Sequence, residues 1–212
     1  MDPWVRPLTE ALAAGRTVEV EHLVTALARA GSAADWTARA RFAPHEPYGR
    51  QVVLAQGAVE VMLAGWSRAH PCAPHDHGSG LGAVRVLQGQ AQHRAFSARD
   101  GRLVPGPAER LEAGAFVRCP RGLVHQMEDA GGPRPLVTLH LYAYVGGGAP
   151  MVVYDLPRGR TQWLAPDCGA WVRAYDDPAV LGWAHGLVRA PVPPAGGSAG
   201  GSGQAGQDPA GQ

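Results

Sequence analysis

The sequence predicts a mainly β protein, a double-stranded jelly-roll barrel set behind N-terminal α-helices. Two observations predict it. Near Tyr48 the spacing of apolar residues changes from three and four to two, which is the change from a helical to an extended repeat. Beyond that point, short strand-like runs separated by turn residues carry His75, His77 and His125, and a barrel of short strands is the architecture that encloses such a group.

The helical part comes first. Trp4, Val5, Leu8 and Leu12, then Val18, Val20, Leu23, Val24 and Leu27, recur at helical intervals, so each set lines one face of a helix. Asp2-Pro3 and Thr17 are the start signals, and Thr37 to Phe42 is expected to add a further turn. Strands are expected at Val59 to Trp66, Ala83 to Leu87, Ala91 to Phe96 and Leu136 to Val145, where the period is two. Asp100-Gly101 marks a hairpin. Between Asp167 and Val188, the residues Trp171, Val172, Tyr175, Val180, Leu181 and Trp183 are expected to close one end of the barrel, as a strand or a short helix. From Pro191 the chain is Gly, Ser, Pro, Ala and Gln with little else, a composition that cannot bury enough apolar surface to offset chain entropy. The expected division is therefore a helical segment over 1–47 packing on the barrel, a barrel over 48–190, and a disordered tail over 191–212.

The chain has 212 residues and a formal net charge of +1. That length supports one substantial core, and the charge balance gives no basic face for nucleic acid or for an anionic membrane. Cys72, Cys119 and Cys168 are odd in number and widely spaced, which fits a reducing compartment better than a disulfide framework. No leader-like apolar run follows a basic start, and no window reaches the length of a membrane span. A soluble, cytoplasmic monomer acting on small molecules is the expectation.

The chemistry concentrates at the histidines. His75 and His77, two residues apart on an extended segment, point the same way. With a third imidazole from a distant strand, they form a three-nitrogen facial set that leaves the opposite coordination positions open. His22, His45, His93 and His185 lack such a frame and are expected to be surface or hydrogen-bonded core residues. His70 and Cys72 do not make a structural zinc site, because a closed tetrahedral site needs four ligands and usually Cys-x-x-Cys pairs.

The histidine spacing resembles the two cupin motifs. In the first, His75, His77 and Gly89 fit, Gly65 is displaced from the leading position, and Leu81 or Gly82 stands where a Glu is usual. The second is met by Gly114, Pro120, Gly122 and His125, with Asp129 in place of Asn. Further segments, Tyr48-Gly-Arg50, Trp66, Val86-Leu-Gln-Gly89 and Leu139-His-Leu-Tyr142, make the chain similar to the cysteine dioxygenase family of thiol dioxygenases. That resemblance implies a cupin barrel behind helices. It also implies an Fe(2+) held by His75, His77 and His125, with thiol and O2 as substrates. Without the Glu, the ligand set is neutral, so an anionic thiolate can complement the metal charge.

The resemblance assigns further roles. Arg50 is the candidate for binding the substrate carboxylate, its planar donors suiting two parallel hydrogen bonds, and Tyr48 either holds the guanidinium or touches the carboxylate itself. Thr138, His140 and Tyr142, alternate residues of one strand, match a relay that orients a phenol toward the substrate; their alternation with Leu139 and Leu141 also fits a solvent face. Animal members join a cysteine covalently to the relay tyrosine, and Gly82 occupies that cysteine's position here, so Tyr142 is a free phenol. Arg50 favours L-cysteine, which brings an amine as well as a thiolate, over 3-mercaptopropionate, whose oxidising relatives tend to carry Gln there. A cupin that binds a metal or small ligand without catalysis is the reading from a different class.

Overall fold

The computed structural model describes residues 3–144, 149–166 and 168–186. The expected tail and Val145 lie outside them. Helices α1 (Arg6–Ala13) and α2 (Val20–Ala28) fall where the apolar spacing places them. Their starts differ from expectation: α2 opens on a reciprocal pair between Glu19 and His22 rather than on Thr17, with the Glu19 N–H donating to His22 Nδ1 at 3.0 Å. The further turn is α3 (Ala33–Thr37), which precedes the expected stretch because the Ser32 hydroxyl accepts the Ala34 N–H and caps it.

The remainder is β structure. One sheet of five strands runs in the order β1 (Tyr48–Gln56), β2 (Val59–Trp66), β8 (Val137–Tyr144), β3 (Gly80–Gln88), β6 (Phe116–Cys119). Opposite are two three-stranded sheets: β5 (Arg102–Glu112), β4 (Gln90–Arg99), β7 (Val124–Asp129), and β11 (Val180–His185), β10 (Arg160–Leu164), β9 (Met151–Asp155). Residues 74–77 join these two. His75 exchanges both backbone hydrogen bonds with His125 of β7, each 2.9 Å, while Pro74 O and Asp76 N bond to Tyr154 and Val152 of β9. The second layer of the jelly roll is thus held together by the segment that carries two of the histidines.

The five-stranded sheet is buried on both faces. Val59, Val61 and Leu63 of β2, and Leu139 and Leu141 of β8, pack outward against Leu8, Leu23, Leu27 and Trp36 of the helices. The alternate residues Met62, Ala64, Trp66 and Tyr142 turn into the barrel. This settles the two readings of β8: Thr138, His140 and Tyr142 lie in the interior, and their neighbours are covered by helix rather than opposed to solvent. The β4–β5 hairpin turns at Asp100 and Gly101, with φ of 48° and 71°, the paired positive angles that suit the twist of its strands. The segment 167–188 contributes a strand, β11.

Candidate metal centre and substrate cavity

Each histidine is delivered by a different local device. His75 sits opposite His125 in a pair that exchanges both backbone bonds, so their side chains leave the same face a few ångströms apart. His77 follows on that face two residues later. The turn that feeds His125 into β7 closes by the Leu123 N–H donating to Pro120 O at 3.1 Å, with Gly122 at φ 71°, a positive angle that a side chain would oppose. Asp129, the variant position of the second motif, accepts from the Gly131 and Leu136 N–H groups at 2.8 and 3.0 Å, and so shapes the loop after β7.

One ring nitrogen from each of His75, His77 and His125 lies within 4.8 Å of the others; His125 Nε2 and His77 Nε2 are 3.4 Å apart. All three are buried. Burial holds their pKa values down, that of His75 to about 4 and those of His77 and His125 well below the ordinary value, with neighbouring imidazoles adding to the effect. They are therefore neutral near pH 7, the form that ligates a metal. His75 Nδ1 lies 2.9 Å from Ala73 O, and His125 Nδ1 lies 3.2 Å from His93 Nε2. Outer partners of this kind fix the ring orientation of ligands. The donor set fits a metal ion with an open face.

Across the cavity is a hydrogen-bonded line from Trp66 to Tyr142. The indole of Trp66 can only donate, and its Nε1 lies 2.7 Å from Thr138 Oγ1. Thr138 Oγ1 lies 2.7 Å from His140 Nε2, which accepts the hydroxyl proton in the tautomer that protonates Nδ1. His140 is neutral, its pKa lowered to about 3 chiefly by burial, and its Nδ1 lies 2.8 Å from Tyr142 Oη, to which it donates in that same tautomer. In that arrangement the Tyr142 hydroxyl has its own proton to donate into the cavity. Burial raises its pKa well above 10, and it remains a phenol. Its ring stands 4.9 Å from that of His77, centroid to centroid.

Gly82 makes that placement possible. A Cβ there would lie 2.7 Å from the Tyr142 ring, far inside van der Waals contact, so the ring rests on bare backbone.

A small cavity is bordered by His75, His77, Tyr142, Tyr48, Arg50 and Glu60. Arg50 reaches it, but its Nη2 donates to Glu60 Oε1 at 2.7 Å. Tyr48 does not hold the guanidinium: its hydroxyl accepts the Ala170 N–H at 2.8 Å, which leaves the phenolic proton free to serve a ligand. Sequence inspection passed over Glu60, the role of Trp66 and the contact of His93. Glu60 had a signal, as the one acidic residue on the β2 face that otherwise bears Met62, Ala64 and Trp66. His93 had none, since its partner comes from another strand.

A jelly-roll barrel with three converging imidazoles defines a cupin. Residues 4–145 match the family described as cysteine dioxygenase type I, and the chain belongs to that family. It is 28% identical to cysteine dioxygenase type 1 of Danio rerio over 115 residues, 51% of this chain and 57% of that protein. It is 27% identical to cysteine dioxygenase type 1 of Rattus norvegicus over 138 residues, 62% of this chain and 68% of that protein. Among solved structures, a Klebsiella pneumoniae protein described as uncharacterized, with a double-stranded β-helix domain, aligns with a TM-score of 0.44 at 22% identity, covering 58% of this chain and 94% of that one. Among the described residues, no helix is long and apolar enough to cross a membrane.

Proposed function

We propose that this chain is an iron(II)-dependent thiol dioxygenase that adds both atoms of O2 to the sulfur of L-cysteine, giving cysteine sulfinic acid. The observation that supports this most is the convergence of the imidazole set, the directed phenol of Tyr142 and the Arg50 guanidinium on one cavity. Family membership supports it independently.

His75, His77 and His125 would hold the iron. When bound, iron(II) supplies a Lewis-acidic and redox-active centre able to favour the thiolate form of a thiol and to activate dioxygen. The chain's own contribution is charge, orientation and dryness. Three neutral imidazoles bring no negative charge, which leaves the anionic partner to be the substrate, whose thiol has a pKa of roughly 8.5 in water. The Arg50 guanidinium has donors beyond the one given to Glu60 and would take the substrate carboxylate. The Tyr142 hydroxyl, held by His140 and Thr138, would donate to negative charge developing on oxygen, a role for a neutral buried phenol. Tyr48 would add a second phenolic donor, and Met62, Met151 and Ala170 give the cavity an apolar wall. Buried thiols at Cys72 and Cys119 support a reducing, cytoplasmic setting.

Oxygen-electrode traces on iron-loaded protein with L-cysteine, 3-mercaptopropionate, cysteamine and homocysteine test the proposal. Uptake of one O2 per cysteine, with the sulfinic acid identified by mass, is expected. No uptake with any thiol would leave a metal- or ligand-binding cupin.

A further inference from the structure

The Arg50–Glu60 pair is not explained by carboxylate binding alone. The two side chains are mostly buried, 16% and 14% exposed, and both border the cavity that contains His75, His77 and Tyr142. A guanidinium meant simply to attract a carboxylate would be better left unpaired, because a second carboxylate beside it offsets its charge and repels the ligand. Glu60 is placed at the site by register: it lies directly across from Tyr142 on β8. Tyr142 in turn lies across from Gly82 on β3. With the imidazoles and phenols neutral, Arg50 and Glu60 are the charged groups bordering the cavity, and together they sum to zero.

We infer that Arg50 and Glu60 form a two-point receptor for an α-amino acid head group, Arg50 taking its carboxylate and Glu60 its amine. This rests on the thiol-dioxygenase reading and assigns to Glu60 the selection of thiols that carry an amine beside the carboxylate. The carboxylate and amine of such a substrate are borne on one carbon, so a carboxylate on Arg50 brings the amine to the neighbouring Glu60. The amine has N–H bonds to donate whether it is an ammonium or shares its lone pair with a metal. A thiol with a carboxylate and no amine competes with Glu60 for Arg50 and offers nothing in return, leaving two carboxylates on one cation. Glu60 thereby selects against 3-mercaptopropionate as much as for cysteine.

The test compares wild type with Glu60→Gln, which keeps the shape and an acceptor for Arg50 while removing the charge. Dissociation constants of the iron-loaded protein for L-cysteine, 3-mercaptopropionate and N-acetyl-L-cysteine are measured by anaerobic equilibrium dialysis, with Michaelis constants from oxygen uptake beside them. Wild type is expected to bind L-cysteine at least about tenfold more tightly than either the thiol without an amine or the N-acetylated one, and Glu60→Gln to move that ratio toward 3-mercaptopropionate by about tenfold, mainly in KM rather than kcat. A parallel loss for all three thiols, or an unchanged ratio, overturns the inference. Should the variant fail to fold, equal wild-type affinity for cysteine and 3-mercaptopropionate overturns it as well. If oxygen is consumed and the ratio does not move, the dioxygenase reading stands without this receptor. If the ratio moves and no oxygen is consumed, the receptor stands without the dioxygenase.

Discussion

Thr138→Val removes one hydroxyl and nothing else of consequence, since valine has the same shape and Thr138 is fully buried. Two polar groups lose their partner: the Trp66 indole N–H and His140 Nε2, each 2.7 Å from Thr138 Oγ1. An orphaned buried donor or acceptor costs about 1–3 kcal/mol, so the variant is expected to lose about 2–6 kcal/mol of a total that is typically about 5–15. Urea denaturation of the metal-free protein reads that loss as a lower midpoint at unchanged slope. The same change releases the tautomer of His140, after which its Nδ1 is no longer bound to donate to Tyr142. Because a positioned proton donor contributes about 10²–10⁴ in rate, kcat for thiol oxidation is expected to fall by about a hundredfold with little change in KM. Thr138→Ser restores the hydroxyl and is expected to recover both. Nitrogen NMR of labelled histidine measures the tautomer directly and should place the His140 proton on Nδ1 in wild type. A wild-type proton on Nε2, or a Thr138→Val protein matching wild type in midpoint and rate, would refute the directed line from Trp66 to Tyr142.

Replacing His75, His77 or His125 with Ala should weaken iron binding, measured by titration of the metal-free protein, by more than the 10–100-fold that loss of an outer partner typically costs; full iron retention in any variant removes that residue from the ligand set. His93→Leu removes such an outer partner from His125 and should fall within about 10–100-fold in metal affinity while the barrel remains folded, an effect that a merely structural histidine would not produce. Arg50→Ala should raise the KM for cysteine at least tenfold, from the loss of charge-assisted hydrogen bonds worth about 1.5–3 kcal/mol each, and leave cysteamine nearly untouched; unchanged cysteine kinetics would remove Arg50 from the carboxylate site. Acidification should destabilise the metal-free protein. Buried His75 and His140 have folded pKa values of about 4 and about 3, against about 6.5 when unfolded, so the unfolded chain takes up protons first. Their contribution is full above about pH 6.5 and declines as pH falls toward the folded values, by up to about 1.4 kcal/mol per pH unit for each group. A denaturation midpoint constant between pH 7.5 and 5 would contradict this.

The strands that alternate cleanly were legible, and the ones missed had physical reasons. β5 reads Val-Pro-Gly-Pro through its middle, which argues against a strand. It is tolerated because β5 is an edge that pairs only with β4, and the register shifts between Arg94 and Phe96 opposite Pro105, where missing N–H donors do no harm. β9 is a short apolar run, and runs of that kind do not declare their conformation. At the site, the imidazoles and the Thr138, His140, Tyr142 series were visible because period and spacing bring them to shared faces. The role of Tyr48 and the partner of Arg50 were not, since Ala170 comes from a distant loop and Glu60 is reached diagonally, Arg50 itself standing across from Ala64.

Local order in the chain is enough to specify periodicity, turns and the histidine frame, because these depend on neighbours within a few residues: the helices before Tyr48, the Asp100-Gly101 hairpin and the face shared by His75 and His77 all follow from it. Pairings between distant segments depend instead on strand register and layer packing. Those decided that 74–77 seals the second layer between β7 and β9, that helices cover the outer face of β8, and that Trp66, seventy-two residues away from Thr138 in sequence, joins the hydrogen-bonded line at its hydroxyl. They also decided that Glu60 shares the cavity with Arg50. Charge pairing at that site arises where β1 meets β2, and a single strand read alone carries no information about what its neighbour presents.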